Sequence, residues 1–161
     1  MKTERVGRSL SYTTDVVPIP HPSFAWYALT ISEKYGLCRI LAVGKEKPSD
    51  AYGESLRQDY NVLRDALVEK YGRPTLDEDG IRQGSIWNEP KDFMMGLLKG
   101  ERSLKTLWKP EPSNRLPPTL SLVAVLAAAL SSSKGKVSMQ YRFSNNAQCE
   151  AEEKAAQNRG L

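Results

Sequence analysis

The chain has one histidine and two cysteines among 161 residues, and that scarcity removes most catalytic chemistry at once. A Ser-His-Asp triad needs a histidine to carry a proton from nucleophile to leaving group. The sole candidate, His21, stands between Pro20 and Pro22, with no second catalytic group or ligand set beside it, and reads as a rigid surface turn. Cys38 and Cys149 lie far apart without a CxxC spacing, which excludes zinc-finger and thioredoxin-like sites. They are either two buried thiols or one long-range disulfide, the latter requiring an oxidising compartment. No GxSxG or HExxH occurs, and Gly80–Gly84 (GIRQG) lacks both the pattern of a phosphate loop and a following Lys-Ser/Thr. No catalytic, cofactor-binding or metal-binding residue is therefore expected.

Long apolar runs are missing too. The longest, Leu120–Leu130, has eleven residues, too few to span a bilayer. The opening MKTERVGRSLSYTTD has no apolar stretch of the kind a secretory signal needs. The expectation is a cytoplasmic home if the chain is complete as written, and a periplasmic one if a signal peptide has been removed. The net charge of +4 is mild, and basic residues alternate with acids, as in Lys45-Glu46-Lys47 and Glu69-Lys70. No basic stripe interleaved with aromatics is present, so neither nucleic acid nor membrane is an expected partner. Asp77-Glu78-Asp79-Gly80 lacks the alternating ligands of an EF-hand loop, and Thr75–Gly84 reads as a solvated turn. A carboxylate pair drawn from acids such as Asp65, Asp92 and Glu150 stays open as an enzyme alternative.

What is present is well-specified structure. Hydrophobic content of 40% and charged content of 26% suit one ordinary globular domain. Gly84–Trp108 (GSIWNEPKDFMMGLLKGERSLKTLW) holds two of three tryptophans and two of four methionines. Pro90 and Asp92 suit a helix start, and Phe93, Leu97, Leu104 and Trp108 fit one helical face. This predicts a central helix stopped by Pro110 and Pro112. Gly96 and Gly100 within it point to close approach by a neighbouring strand or helix. A second helix is predicted after Pro48-Ser49-Asp50, because Leu56, Tyr60, Leu63, Leu67 and Tyr71 form an apolar stripe that Gly72 and Pro74 end.

Phe24–Ser32 and Leu37–Lys45 read as a hairpin turned at Gly36 and placed centrally in a sheet. Ile81–Trp87 is a further short strand candidate. Val137, Met139, Tyr141 and Phe143 alternate with polar residues, a half-buried strand. Thr119–Leu130 is read as its partner despite three consecutive alanines. Asn145 with Gln148 resembles a capping box opening a last helix supported by Glu150→Lys154 and ended by Gly160. Residues 1–23 form an irregular arm, in which Val16-Val17 is a candidate edge strand before the prolines. Residues 24–161 make one α+β domain: an antiparallel sheet of at least four strands with helices packed on one face, in the order ββα-α-ββα.

The phrases PHPSFAWY, GLCRILAVGK, AYGESLRQDYNVLRDALVEKYGRP, GSIWNEPKDFMMGLLKGERSL and VSMQYRFSNNAQCEAE together resemble a family of small uncharacterised bacterial and prophage-associated proteins, usually exported. The resemblance covers roughly residues 18–161 and implies a compact single domain, with no activity to transfer. The functional expectation is a non-enzymatic protein-binding domain. Within that class, an exported periplasmic accessory protein competes with a cytoplasmic phage or mobile-element inhibitor of a host defence complex, such as an anti-CRISPR protein. An immunity protein against a toxin is a third variant.

Overall fold

The computed structural model describes residues 4–5 and 10–158. Within them lie β1 (Glu4–Arg5), β2 (Ser11–Thr14), β3 (Phe24–Ser32), β4 (Gly36–Gly44), β5 (Lys47–Pro48), α1 (Glu54–Tyr71) and β6 (Leu76–Ile81). A 3-10 turn, Pro90–Asp92, then leads into α2 (Phe93–Leu98), followed by β7 (Arg102–Trp108), β8 (Leu120–Ser131), β9 (Lys134–Phe143) and α3 (Asn146–Asn158). The class is α+β. Eight strands run antiparallel in the order β1-β2-β3-β4-β9-β8-β7-β6, and β5 pairs with β9 off that path. The β3–β4 hairpin turns through Gly36 at φ 77, and β8–β9 forms the second long hairpin, so Thr119–Leu130 is a strand with its alanines in it.

α1 follows its stripe: Leu56, Tyr60, Leu63, Leu67 and Tyr71 are all buried. It starts later than Pro48-Ser49-Asp50 suggests. Pro48 is spent on pairing with Lys134, and Asp50 Oδ1 instead accepts the N–H of Glu54 at 2.9 Å. On β8 and β9, Val123, Val125, Val137 and Met139 meet this stripe in the core, with Tyr141 and Phe143 only half-buried at its edge. Leu104, Phe93 and Met94 are buried there as well, and Leu97 is half-buried.

Several expectations are corrected. The central helix does not reach Trp108: it ends at Leu98, and Gly100 at φ 69 turns the chain into β7. The spacing of four between Leu104 and Trp108 suits a helix face and a strand face equally, since four is also an even number. Thr106 between them decides the matter, because Leu104, Thr106 and Trp108 are all buried while Ser103, Lys105 and Leu107 are not. Gly96 does admit a close neighbour, with a Cβ there falling 3.0 Å from that of Arg102.

The second correction is the acidic run, which is edge strand β6 rather than a solvated turn. Its charges are matched one by one across the register and from α1. Glu78 pairs with Lys105 at 3.2 Å, Asp79 with Arg57 at 2.8 Å, and Asp77 Oδ1 accepts the Thr106 hydroxyl at 2.6 Å. A charged edge also resists pairing with another sheet. Ile81–Trp87 contributes only Ile81 to it. These insertions break the expected order ββα-α-ββα, since a strand precedes α2 and another follows it.

The third concerns the arm. Ser11–Thr14 pairs with β3 as β2, whereas Val16-Val17 is irregular. The Asn145–Gln148 capping box is absent. Asn145 donates its amide to the carbonyls of Tyr35 and Leu37, tying the start of α3 to the β3–β4 turn. Glu150 accepts from Asn146 at 2.8 Å. Gly160 lies outside the described residues.

Phe93 locks α1 to α2. A Cβ on Gly53 would sit 2.2 Å from its ring, and the guanidinium carbons of Arg57 and Arg102 lie 4.2 and 5.3 Å from its centroid. Phe93→Ala is expected to lower the unfolding free energy by ~3–5 kcal/mol, the range for a buried aromatic. Denaturant unfolding measures it, and a loss below ~1 kcal/mol would contradict this packing.

Candidate functional site

α1 and α2 pack against β7, β8 and β9, so the helix-side surface of β3 and β4 has no helix over it. The strands there still carry apolar side chains toward that side. Tyr27 and Leu29 of β3, Ile40 and Ala42 of β4, and Met139 and Tyr141 of β9 form the floor of a cleft of about 640 Å³. That volume is within the usual range for ligand pockets. Leu63, Ala66, Leu67 and Lys70 of α1 make one bank, and Val16, Val17, Pro18, Ile19, His21 and Phe24 make the other.

The second bank is fixed by local chemistry. Pro18, Pro20 and Pro22 have no N–H to offer a ladder, so β2 cannot continue through them. The Thr14 hydroxyl donates to the Val16 carbonyl at 3.1 Å and accepts the Val16 N–H at 3.2 Å. The His21 N–H donates to the Tyr27 hydroxyl at 3.3 Å, and His21 Nδ1 accepts the N–H of Ser23 at 3.2 Å. Phe24 stands edge-on to Tyr27, ring centroids 6.0 Å apart. His21 is thus the surface turn its prolines suggest, and it also borders the cleft.

Both banks carry exposed apolar side chains, and on the α1 side the apolar surface continues past the lining. Ile19 is 89% exposed and Val16 51%. On α1, Val62 is 64% exposed and lies one turn before Ala66 on the same helix face. Lys70 is the cationic residue of the described lining, and no carboxylate of the described residues lines it. Lys70 lies 5.2 Å from the Tyr71 ring centroid and joins no ion pair among the described residues.

The residues singled out from sequence lie elsewhere. Cys38 and Cys149, both fully buried, are joined in a disulfide with Cα atoms 6.4 Å apart. It pins α3 to β4 at a bulge, where Thr30 and Ile31 oppose Arg39 and Leu37 and leave Cys38 unpaired. Asp65 pairs with Arg64 on the outside of α1, Asp92 precedes α2, and Glu150 is on α3. None of these three acids lines the cleft. Among the described residues, no group of three or more His, Cys, Asp or Glu is placed to hold a metal ion. No helix among them is long and apolar enough to cross a membrane.

Sequence reasoning missed the cleft itself. A signal was available in Val16-Val17-Pro18-Ile19, apolar residues held by prolines out of any regular element. No protein-family model matches the chain, and neither a curated protein nor a solved structure does.

Two tyrosines are tuned by the same burial that shapes this region. Burial, then the neighbouring Tyr71, pushes Tyr141 up to about 12. Burial also pushes Tyr60 up to about 12, against the lowering effect of its hydrogen bond with Thr106. Above the ordinary value of 10.0, the unfolded chain loses protons that the folded chain keeps. Their stabilising contribution is therefore complete below that pH and lost as pH rises through about 12. Absorbance titration should show two of the seven tyrosines ionising late, with stability falling over the same interval. All seven ionising together near pH 10, with the fold intact, would contradict the burial of these two hydroxyls.

Proposed function

We propose that the protein is a non-enzymatic protein-binding domain whose working surface is the apolar cleft between α1 and the Val16–Phe24 segment. The observation that carries this reading is the exposed apolar surface on both banks. Val16 and Ile19 line one bank yet stay 51% and 89% exposed, and Val62 extends the other bank beyond the lining. A small molecule seated on the floor would leave them in water, whereas a polypeptide crossing the cleft covers all three. Contiguous exposed apolar surface of this kind marks interaction sites. The cleft's lining supplies orientation and burial rather than a nucleophile paired with a base.

An exported accessory protein and an inhibitor of a defence complex would both work this way, and the resemblance to small bacterial and prophage-associated proteins fits either. The test is comparative affinity purification from the native host with wild-type protein and Ala66→Arg as baits. Ala66 is an exposed helix residue on the bank, so the substitution blocks the cleft at a stability change within ~0.5 kcal/mol. At least one wild-type partner should fall tenfold or more on the variant. Equal retention of every co-purifying protein would overturn the reading.

A further inference from the structure

The floor of the cleft limits what can occupy it. β3 is paired to β2 on one side and β4 on the other, and β4 is paired to β3 and β9. At the floor residues Tyr27, Leu29, Ile40 and Ala42 the strands are paired on both sides, so the backbone there is spent within the sheet. A polypeptide seated on them finds apolar side chains and no ladder to join. A buried backbone must satisfy its own polar groups, and a helix does so within a single segment. An added strand would not.

The layer geometry agrees. α1 already lies over β8 and β9, and sheets of this class are covered by helices side by side, 8–10 Å apart. α3 meets β3 and β4 but contributes no residue to the cleft. Charge adds direction, because Lys70 borders one bank and no carboxylate of the described lining offsets it.

We infer that the occupant is an amphipathic α-helix of the partner protein, lying beside α1 with its apolar face on β3 and β4 and with Asp or Glu flanking that face toward Lys70. This rests on the docking reading above and specifies its partner.

The test uses a displayed library of random 18-residue peptides, selected on the wild-type protein and counter-selected on Ala66→Arg. Cleft-dependent binders should carry apolar residues at helical spacing and an excess of Asp and Glu. Synthetic copies should lose at least tenfold in affinity with a central proline, and several-fold with Glu→Gln or on Lys70→Glu protein. Cleft-dependent binders that are basic, proline-rich or alternating in pattern would overturn the inference and leave the docking reading standing. Finding no cleft-dependent binder, while dodecanoate binds and Ala66→Arg blocks it, would overturn both in favour of a lipid-like ligand. Finding neither would also overturn both.

Discussion

The ladder between β4 and β9 is the joint on which the rest of the structure depends. It pairs Arg39 with Arg142, Ile40 with Tyr141, Leu41 with Gln140 and Ala42 with Met139. It unites an N-terminal group of strands, β1–β4, with a C-terminal group, β9-β8-β7-β6. Register is critical here. A one-residue slip would turn Ile40 and Ala42 to the opposite face and replace them with Arg39 and Leu41. Two other features hold the two groups together. Gly44 lets β4 approach Val137 so closely that a Cβ would lie 1.9 Å from its carbonyl oxygen, and the Cys38–Cys149 disulfide closes a separation of 111 residues. A cross-link over so long a loop contributes on the order of 4–5 kcal/mol in the chain-entropy view.

The two groups are covered unequally, and the cleft is the consequence. α1 and α2 bury the helix side of β7, β8 and β9, with Trp108 donating its indole N–H to the Gly72 carbonyl at 2.9 Å to close the end of α1. α1 also reaches the far edge by charge, through Arg57 and Arg64 and the acids of β6. These ion pairs are partly exposed, and pairs in contact with water contribute little to stability. The position of α1 is set by its buried stripe, Leu56, Tyr60, Leu63, Leu67 and Tyr71, and its packing on β8 and β9. What remains over β3 and β4 is an apolar floor bordered by a proline-stiffened segment.

Much of the fold was legible because its periods were unambiguous. The step of three from Tyr60 to Leu63, among steps of four, puts those residues on one face only in a helix. Strict alternation through Val137, Met139 and Tyr141 does the same for a strand. The failures have equally physical causes. Leu104 and Trp108 are four apart, a spacing both elements share, and Gly100 read as helix interior is a turn. The acids of β6 look solvated until Arg57, Arg64 and Lys105 are placed opposite them. The cleft was the least legible feature. Its floor joins Ile40 and Ala42 to Met139 and Tyr141 through pairing between distant segments, and no local pattern encodes which strand meets which.

The central claim is that the cleft over this apolar floor admits an apolar ligand in the native protein. The direct measurement is a titration of native protein with the fluorescent anion 8-anilino-1-naphthalenesulfonate, run beside Ala66→Arg. Wild-type protein should show a saturable blue-shifted signal that the variant largely loses, while both unfold at the same denaturant midpoint. No enhancement over buffer, or equal signals from the two proteins, would contradict the account.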